Sequence, residues 1–121
     1  MRLFALRGAN SVERNEKAAI LDATTELMRA LMERNGLGPE DVVSCLFTAT
    51  NDLDAAFPAA AARAIGFEGV PLLCAREIEV AGSLPRVIRV MIHYYAPEDH
   101  VPQHVYLREA AALREDLAAA Q

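Results

Sequence analysis

Tryptophan is absent from this 121-residue sequence, aromatic residues make up only 6% of it, and lysine occurs once, at Lys17. Alanine is the opposite case, with 23 residues, so the average side chain available to a core is small. The length suits one domain over residues 1–121, and a monomer of this size would bury only about two thirds of its unfolded surface. We therefore expect the chain to gain further burial by forming an oligomer.

Cysteine is also scarce, and long apolar runs are missing. Cys45 and Cys74 are too few for a disulfide framework and lie within apolar segments, which is typical of free thiols in a reducing compartment. No run approaches the roughly 18 apolar residues of a membrane span, and the apolar stretch at the N-terminus is too short for a signal peptide. The sequence thus predicts a cytoplasmic protein with no membrane partner.

Basic charge is in deficit, with 12 Lys and Arg against 17 Asp and Glu and a net charge of −5. Such an acidic chain is a poor partner for nucleic acid or for an anionic membrane. Eleven of the 12 basic residues are nevertheless arginine, whose flat fork binds carboxylates and phosphates. A biased genomic composition explains this excess of arginine equally well, so by itself the excess is a weak signal.

The common signatures of catalytic chemistry are missing as well. The sequence has no GxSxG, P-loop, GxGxxG or HExxH motif, and its histidines, His93, His100 and His104, are not at metal-ligand spacing. Cys74 has no recognisable histidine partner, and cysteine is commonly a small buried hydrophobe. The sequence therefore predicts no metal and no cofactor, and a covalent role for Cys74 is the less favoured interpretation.

What the sequence does contain is a series of strand and helix patterns. The longest helix is predicted over residues 16–35, where apolar residues recur every three or four positions, with Asn15 as its N-cap and Gly36 as its stop. Shorter helices are predicted over 57–65 and 108–120. Five strands are predicted, namely 2–7, which Gly8 ends, then 42–49, 70–75, 87–92 and 104–107. A proline-led turn at 38–41 precedes the second strand.

These elements predict a mixed fold of helices and strands, α/β in the broad sense and α+β in the strict one. It is a single compact domain with a roughly five-stranded mixed sheet, one long helix and two short ones, and a frayed tail at about 115–121. The strand at 42–49 is almost unbroken in its apolar character, which predicts cover on both faces. Three helices are too few to cover both faces of five strands, so a partner subunit is expected to cover part of the sheet.

Arg89 is a candidate site residue because it interrupts the β-branched strand at 87–92. By alternation it shares a strand face with Val87 and Met91, and a guanidinium among apolar neighbours requires an anionic or hydrogen-bonding partner. It is either an edge-strand or interface arginine paired with a local carboxylate, or a ligand-binding residue. Both interpretations stay open from the sequence.

Three further charged residues are weaker candidates. Arg7 is predicted at the carboxyl end of the first strand, a position where side chains often face a cleft. Glu77 follows the third strand, and Arg63 lies on the second helix. An exposed charge is the plainer explanation for each of them.

Several short motifs, individually weak, form a specific set through their order and spacing: Arg7-Gly8-Ala9, Val12-Glu13-Arg14, Thr48-Ala49-Thr50-Asn51-Asp52-Leu53, Phe57-Pro58-Ala59, Arg63, Val70-Pro71, Cys74, Glu77, Arg89-Val90-Met91, and His104-Val105-Tyr106-Leu107 leading to Leu113-Arg114. In this order they resemble chorismate mutases of the small homotrimeric type with a pseudo-α/β-barrel. The resemblance covers about residues 3–117 with almost no insertion.

The resemblance implies an isomerase that rearranges chorismate to prephenate, a step toward phenylalanine and tyrosine, in clefts between the subunits of a homotrimer. It implies three catalytic residues: Arg89 at the ether oxygen and a carboxylate, Arg7 at the other carboxylate, and Glu77 at the ring hydroxyl. The substrate-binding residues that it implies line the pocket, its apolar wall and its mobile mouth: Tyr106, Cys74, Phe57, Arg63, Leu73, Leu113 and Arg114.

Two positions depart from the family's pattern. Ala60 stands where a basic residue is frequent, and Leu73 stands where a small hydroxyl residue is common. A charge and a hydrogen bond are therefore missing from the rim of the implied pocket, which bears on substrate affinity more than on the reaction.

Two other functions remain open. A trimeric enamine or imine deaminase would also use an arginine for a substrate carboxylate, but it needs an ordered water and a proton relay. A carboxylate-binding regulatory module would use the same arginines without turnover. A [3,3] rearrangement of a dianion needs neither a nucleophile nor a proton transfer, which fits a sequence without an acid-base triad.

Overall fold

A five-stranded mixed sheet lies at the centre of the computed structural model, which describes residues 1–113. Its strands are β1 (Arg2–Ser11), β2 (Val42–Ala49), β3 (Leu72–Arg76), β4 (Val87–Ala96) and β5 (Val105–Leu107), in the order β3-β2-β4-β1-β5. The middle strand β4 is antiparallel to both β1 and β2, whereas the edge strands are parallel to their neighbours, β3 to β2 and β5 to β1. The predicted fold class, strand number and mixed pairing are confirmed.

One long helix, α1 (Lys17–Asn35), covers one face of the sheet. Ile20, Leu27 and Leu31 follow the predicted helical spacing and are fully buried. The helix ends as predicted before Gly36, whose φ of 62° is a left-handed conformation that glycine adopts without strain. The periodicity of the sequence therefore predicts both the buried face and the end of α1 correctly.

Asn15, the predicted N-cap of α1, instead holds the loop after β2. Its Nδ2 donates to Oδ1 of Asp54 (2.6 Å), and its Oδ1 accepts the backbone N–H groups of Asp54 and Ala55 (3.0 and 3.1 Å). Glu16 occupies the N-cap position and makes no capping bond with its side chain. The prediction was wrong because a partner 39 residues away competes for the same amide.

β1 continues through Gly8 to Ser11, so the prediction that this glycine ends the strand was wrong. A Cβ at Gly8 would lie 2.8 Å from Cδ1 of Leu31 and 3.0 Å from Cδ1 of Leu27. The missing side chain thus allows α1 to pack closely on the sheet. As a consequence, Arg7 lies in the middle of β1 and not at the end of a strand.

The connections between the strands are close to prediction. A 3-10 turn at Pro39–Asp41 precedes β2, and α2 (Pro58–Ala62) follows it. A wide helical turn at Arg63–Phe67 ends α2, and Gly66 has a φ of 111° there. The end of the predicted second helix near Gly66 therefore coincides with a real break in the helical backbone.

The strand ends differ from prediction by a few residues. β3 begins two residues later and β5 one residue later than predicted, and β4 runs four residues further. At the C-terminal end, a 3-10 turn at Arg108–Ala110 leads into helical residues 111–113. The rest of the predicted third helix and the tail at 115–121 lie outside the described residues.

The second face of the sheet, which we call the open face, consists of the alternate strand residues that point away from α1. Within residues 1–113, neither α1 nor α2 lies on this face, but Ala110 and Leu113 pack on it at Ala9, Val87 and Tyr106. Four large apolar side chains on it are exposed: Leu3, Leu46, Leu73 and Tyr95. Within residues 1–113 the chain itself covers β2 on the α1 side, and the cover of its other face by a partner subunit stays a prediction. Within these same residues, no helix has the length and apolar character needed to cross a bilayer.

Candidate active site

Arg89 and Glu77 form an ion pair on the open face. The Nε atom of Arg89 lies 3.2 Å from Oε1 of Glu77, and 43% of the arginine side chain is exposed. The two interpretations of Arg89 can now be compared with its position. A local carboxylate is present, whereas an edge-strand position is excluded because β1 and β2 flank β4.

The register of three strands brings Glu77 to Arg89. Thr48 on β2 is the register partner of Arg89 on one side and of Ala75 on the other. Glu77 lies two residues beyond Ala75, and its N–H donates to the carbonyl of Ala49 (3.0 Å), which continues the parallel pairing past the end of β3. Since alternate residues of a strand share a face, the carboxylate meets the guanidinium diagonally across β2.

Arg7 and Tyr106 lie on the open face on the other side of Arg89. Ala9 is the register partner of Arg89 in β4 and of Tyr106 in β5, and Arg7 comes two residues before Ala9. By strand alternation, all three side chains point away from α1. Two arginines, a carboxylate and a phenol therefore lie along one stretch of this face.

His104 belongs to this stretch, and the sequence analysis named it in a motif without giving it a role in the site. Its Nδ1 accepts the backbone N–H of Arg7 (3.0 Å) directly before β5 begins. Partial desolvation of the ring lowers the pKa of His104, and the charge of Arg7 lowers it further. The lowered pKa keeps Nδ1 unprotonated at neutral pH, so that it can accept this bond. A histidine directly before a short strand is the sequence signal that could have identified it.

A hydrogen-bonded turn holds the start of β4. Both carboxylate oxygens of Asp52 accept the N–H of Arg86 (3.0 and 3.2 Å), and Oγ1 of Thr50 accepts the N–H of Val87 (3.0 Å). Thr50 in turn donates its hydroxyl to Asp52. Arg86 has a φ of 48°, a left-handed value that costs energy for a residue with a side chain. These bonds stabilise the strained start of the strand that carries Arg89.

A second group of predicted site residues lines a cavity of about 570 Å³ between α1, α2 and β3. Phe57 and Cys74 line this cavity together with Ala60 and Arg76. Cys74 points to the α1 side of the sheet, since its register partner Phe47 is buried in the core. Phe57 is 71% exposed and stands at the cavity without close cover from the described chain.

The predicted site residues thus fall into two groups that a single chain does not bring together. The open-face group consists of Arg7, Leu73, Glu77, Arg89 and Tyr106, and the cavity group consists of Phe57 and Cys74. Arg63 is exposed in the turn after α2, and Leu113 packs in a small cluster with Tyr106. Arg114 lies outside the described residues.

The two cysteines have different surroundings. Cys45 is fully buried, and burial raises the pKa of its thiol to about 12, so it stays protonated and unreactive. Cys74 is partly buried at the cavity. Neither forms a disulfide, in agreement with the sequence prediction.

Comparison with known proteins relates this arrangement to one family. The chain matches the family described as chorismate mutase type I over residues 3–117. It is 52% identical to the chorismate mutase AroH of Thermus thermophilus, over 96% of this chain and 97% of that protein, and 42% identical to the chorismate mutase AroH of Bacillus subtilis, over 98% and 94%.

The solved structures agree with the sequence comparison. A chorismate mutase from Clostridium thermocellum superimposes with a TM-score of 0.87 at 44% identity, and the match covers 90% of this chain and 98% of that one. The family match over residues 3–117 includes both groups of candidate site residues. The chain therefore belongs to the chorismate mutase type I family, as the resemblance of its motifs indicated.

Proposed function

We propose that this protein converts chorismate to prephenate by a [3,3] rearrangement, as an isomerase of aromatic amino acid biosynthesis. The observation that carries the proposal is the Arg89–Glu77 pair at the centre of the open face, with Arg7 and Tyr106 beside it. The names of its relatives support the reaction. The free thiols of Cys45 and Cys74 support a cytoplasmic location.

The arrangement suits a reaction that needs positioning and charge but no bond to the protein. The substrate is a dianion that must adopt a compact conformer in which a new C–C bond can form between its two ends as the ether C–O bond breaks. Negative charge grows on the ether oxygen during this step. In our proposal the guanidinium of Arg89 faces that oxygen and one carboxylate. Arg7 binds the other carboxylate, and Glu77 accepts a hydrogen bond from the ring hydroxyl. A fixed cation stabilises this transition state more than the substrate.

The cavity group acts in our proposal through a neighbouring subunit. Phe57 and Cys74 lie on the α1 side of the sheet near its β3 edge, whereas Arg89 lies on the open face of its middle strand. A second copy can bring its cavity group to the open-face group of the first. The exposed apolar side chains of the open face support burial against another copy. We propose a homotrimer with three such shared sites, in which Arg63 and the C-terminal Leu113 and Arg114 form the mouth.

The experiment that tests the function is direct. Purified protein is mixed with chorismate, and the loss of chorismate absorbance is followed together with the appearance of prephenate. We expect turnover without any added metal or cofactor. Release of ammonia from an enamine or imine would instead identify a deaminase, and binding of chorismate without conversion would identify a regulatory module.

Cys74 lines the pocket in this proposal and takes no covalent part. Cys74→Ala and Cys74→Ser should therefore keep kcat within about tenfold of the unmodified protein, with the loss due to packing at the cavity. Steady-state kinetics on the two variants checks this. Trapping of a substrate adduct on the Cys74 thiol, detected by mass spectrometry, would contradict a pericyclic mechanism.

The value of kcat should be nearly independent of pH around neutrality, because no group transfers a proton in the reaction. The pKa of His104 in the folded chain is lower than its ordinary value of 6.5, so the bond from Arg7 to the neutral ring is present above about pH 6.5. It is lost as the pH falls through the folded-state pKa. We expect kcat/KM to decline on the acid side as His104 and the substrate carboxylates take up protons.

His104→Asn is the matched control for this acid decline. Its amide oxygen can accept the Arg7 N–H but does not titrate, so the decline should move to lower pH in this variant. The measurement is kcat/KM against pH for both proteins. A narrow bell centred near neutrality, or a large solvent deuterium isotope effect on kcat with chemistry rate-limiting, would favour the deaminase mechanism.

A further inference from the structure

Three side-chain polar atoms among the described residues are closed off from solvent and have no hydrogen-bond partner there: Oδ1 of Asn10, Oγ1 of Thr48 and Nε of Arg89. Two of the three belong together. Thr48 and Arg89 are register partners on neighbouring antiparallel strands, and both point to the open face. Nε of Arg89 lies 3.2 Å from the Glu77 carboxylate, yet its N–H does not point at an oxygen well enough to form a hydrogen bond.

A buried hydroxyl without a partner destabilises a protein, because it has lost its bonds to water and gained none in exchange. Valine has nearly the same shape as threonine and would avoid this cost. An unpartnered donor and an unpartnered acceptor on adjacent strands therefore require an explanation. Each can supply what the other lacks, since a threonine oxygen accepts and a guanidinium Nε–H donates.

We propose that Thr48 is a positioning residue for Arg89. When the Glu77 carboxylate turns to the substrate hydroxyl, Oγ1 of Thr48 accepts the Nε–H of Arg89. This bond fixes the guanidinium from the side of the sheet. Opposed side chains on antiparallel strands have Cβ atoms about 4.5–5.5 Å apart, so a rotation of the arginine side chain is enough to close this contact. Both terminal nitrogens of the fork are then left for the substrate. This inference rests on the function proposed above.

Thr48→Val and Thr48→Ser form the matched pair that tests it. Thr48→Val should keep or raise the melting temperature, because the buried hydroxyl is gone. It should lower kcat by about tenfold and change KM less, because the lost bond holds Arg89 in the transition state. Thr48→Ser should recover most of kcat. Melting temperature, trimer mass by sedimentation and steady-state kinetics are measured on the same preparations.

Two outcomes of these measurements would overturn the proposal. A Thr48→Val variant with the kcat of the unmodified protein would show that the hydroxyl is merely unsatisfied. A variant that loses trimer mass, while the remaining trimer keeps full turnover per site, would assign Thr48 to subunit contact.

A double-mutant cycle tests whether Thr48 acts through Arg89. In an Arg89→Gln background, Thr48→Val should lower kcat no further, and an additive loss of kcat would overturn action through Arg89.

A third measurement needs neither substrate nor turnover. Glu77→Ala removes the carboxylate that competes for Arg89, so the Nε–H of Arg89 should bind Thr48 in this variant. Its exchange with solvent, followed by NMR, should be about tenfold slower in Glu77→Ala than in Glu77→Ala with Thr48→Val. Equal exchange rates would overturn the role of Thr48. Absence of chorismate turnover by the unmodified protein would instead overturn the proposed function, and the exchange comparison would still decide the inference.

Discussion

Replacing Arg89 with glutamine is expected to lower kcat by about 10²–10³ while the chain keeps its fold. The fold should be kept because Arg89 lies on the open face, with 43% of its side chain exposed, so little packing depends on it. In the proposed mechanism, what is lost is a fixed positive charge at the oxygen that becomes negative as the ether bond breaks. Kinetics, melting temperature and sedimentation on one preparation give kcat per folded site.

Two control variants make this result specific. Arg89→Lys keeps the charge but loses the flat fork, so it should recover only part of the lost kcat. Arg29→Gln removes the same charge from an exposed position on α1 and should leave kcat near that of the unmodified protein. A stable trimeric Arg89→Gln with near-normal kcat would leave the proposed mechanism without its central residue.

Mixed trimers of two inactive variants are expected to regain activity, which is the second large effect. Arg89→Gln removes one of the two open-face cations, and in the proposed site Phe57→Glu places a carboxylate in the wall that faces the dianion. Phe57 is 71% exposed in one chain, so the second change should not disturb the fold. If each site takes its two groups from different subunits, random mixing in equal amounts restores both groups in about a quarter of the sites.

The mixture is prepared by joint unfolding and refolding, and its activity is compared with each variant treated alone. The matched control combines Arg89→Gln with Arg7→Ala, because both residues lie on the open face and would come from the same subunit. That pair should stay inactive. Activity that fails to return in the first mixture, although sedimentation shows mixed trimers of about three chain masses, would contradict a shared site.

The candidate site was only partly predictable before its neighbours were known. The alternation in 87–92 placed Arg89 on one face with Val87 and Met91, and the register confirms this. That Glu77 is the carboxylate beside it depends on the pairing of β3 with β2, which no local pattern specifies. The motif resemblance named both residues as catalytic, but it did not show that Cys74 lies on the opposite side of the sheet from them.

The sequence by itself determined the elements whose cause is local. The spacing of Ile20, Leu27 and Leu31 is a property of one helix, and Gly36 ends it through its own backbone freedom. These predictions held because periodicity and turn chemistry act between residues a few positions apart. The family also followed from the sequence, since the order of its short motifs is a linear property of the chain.

The tertiary structure alone decided what depends on distant partners. Gly8 lies inside β1 because β4 and β5 pair with the strand on both sides at this position. Leu27 and Leu31 of α1 occupy the space where its side chain would be. The side chain of Asn15 bonds to Asp54 and does not cap the helix, and the ring of His104 accepts a hydrogen bond from the backbone of Arg7, 97 residues away in sequence. Hydrogen bonds and close packing are formed by whichever groups folding brings together, so their partners become defined only when the strands are in register.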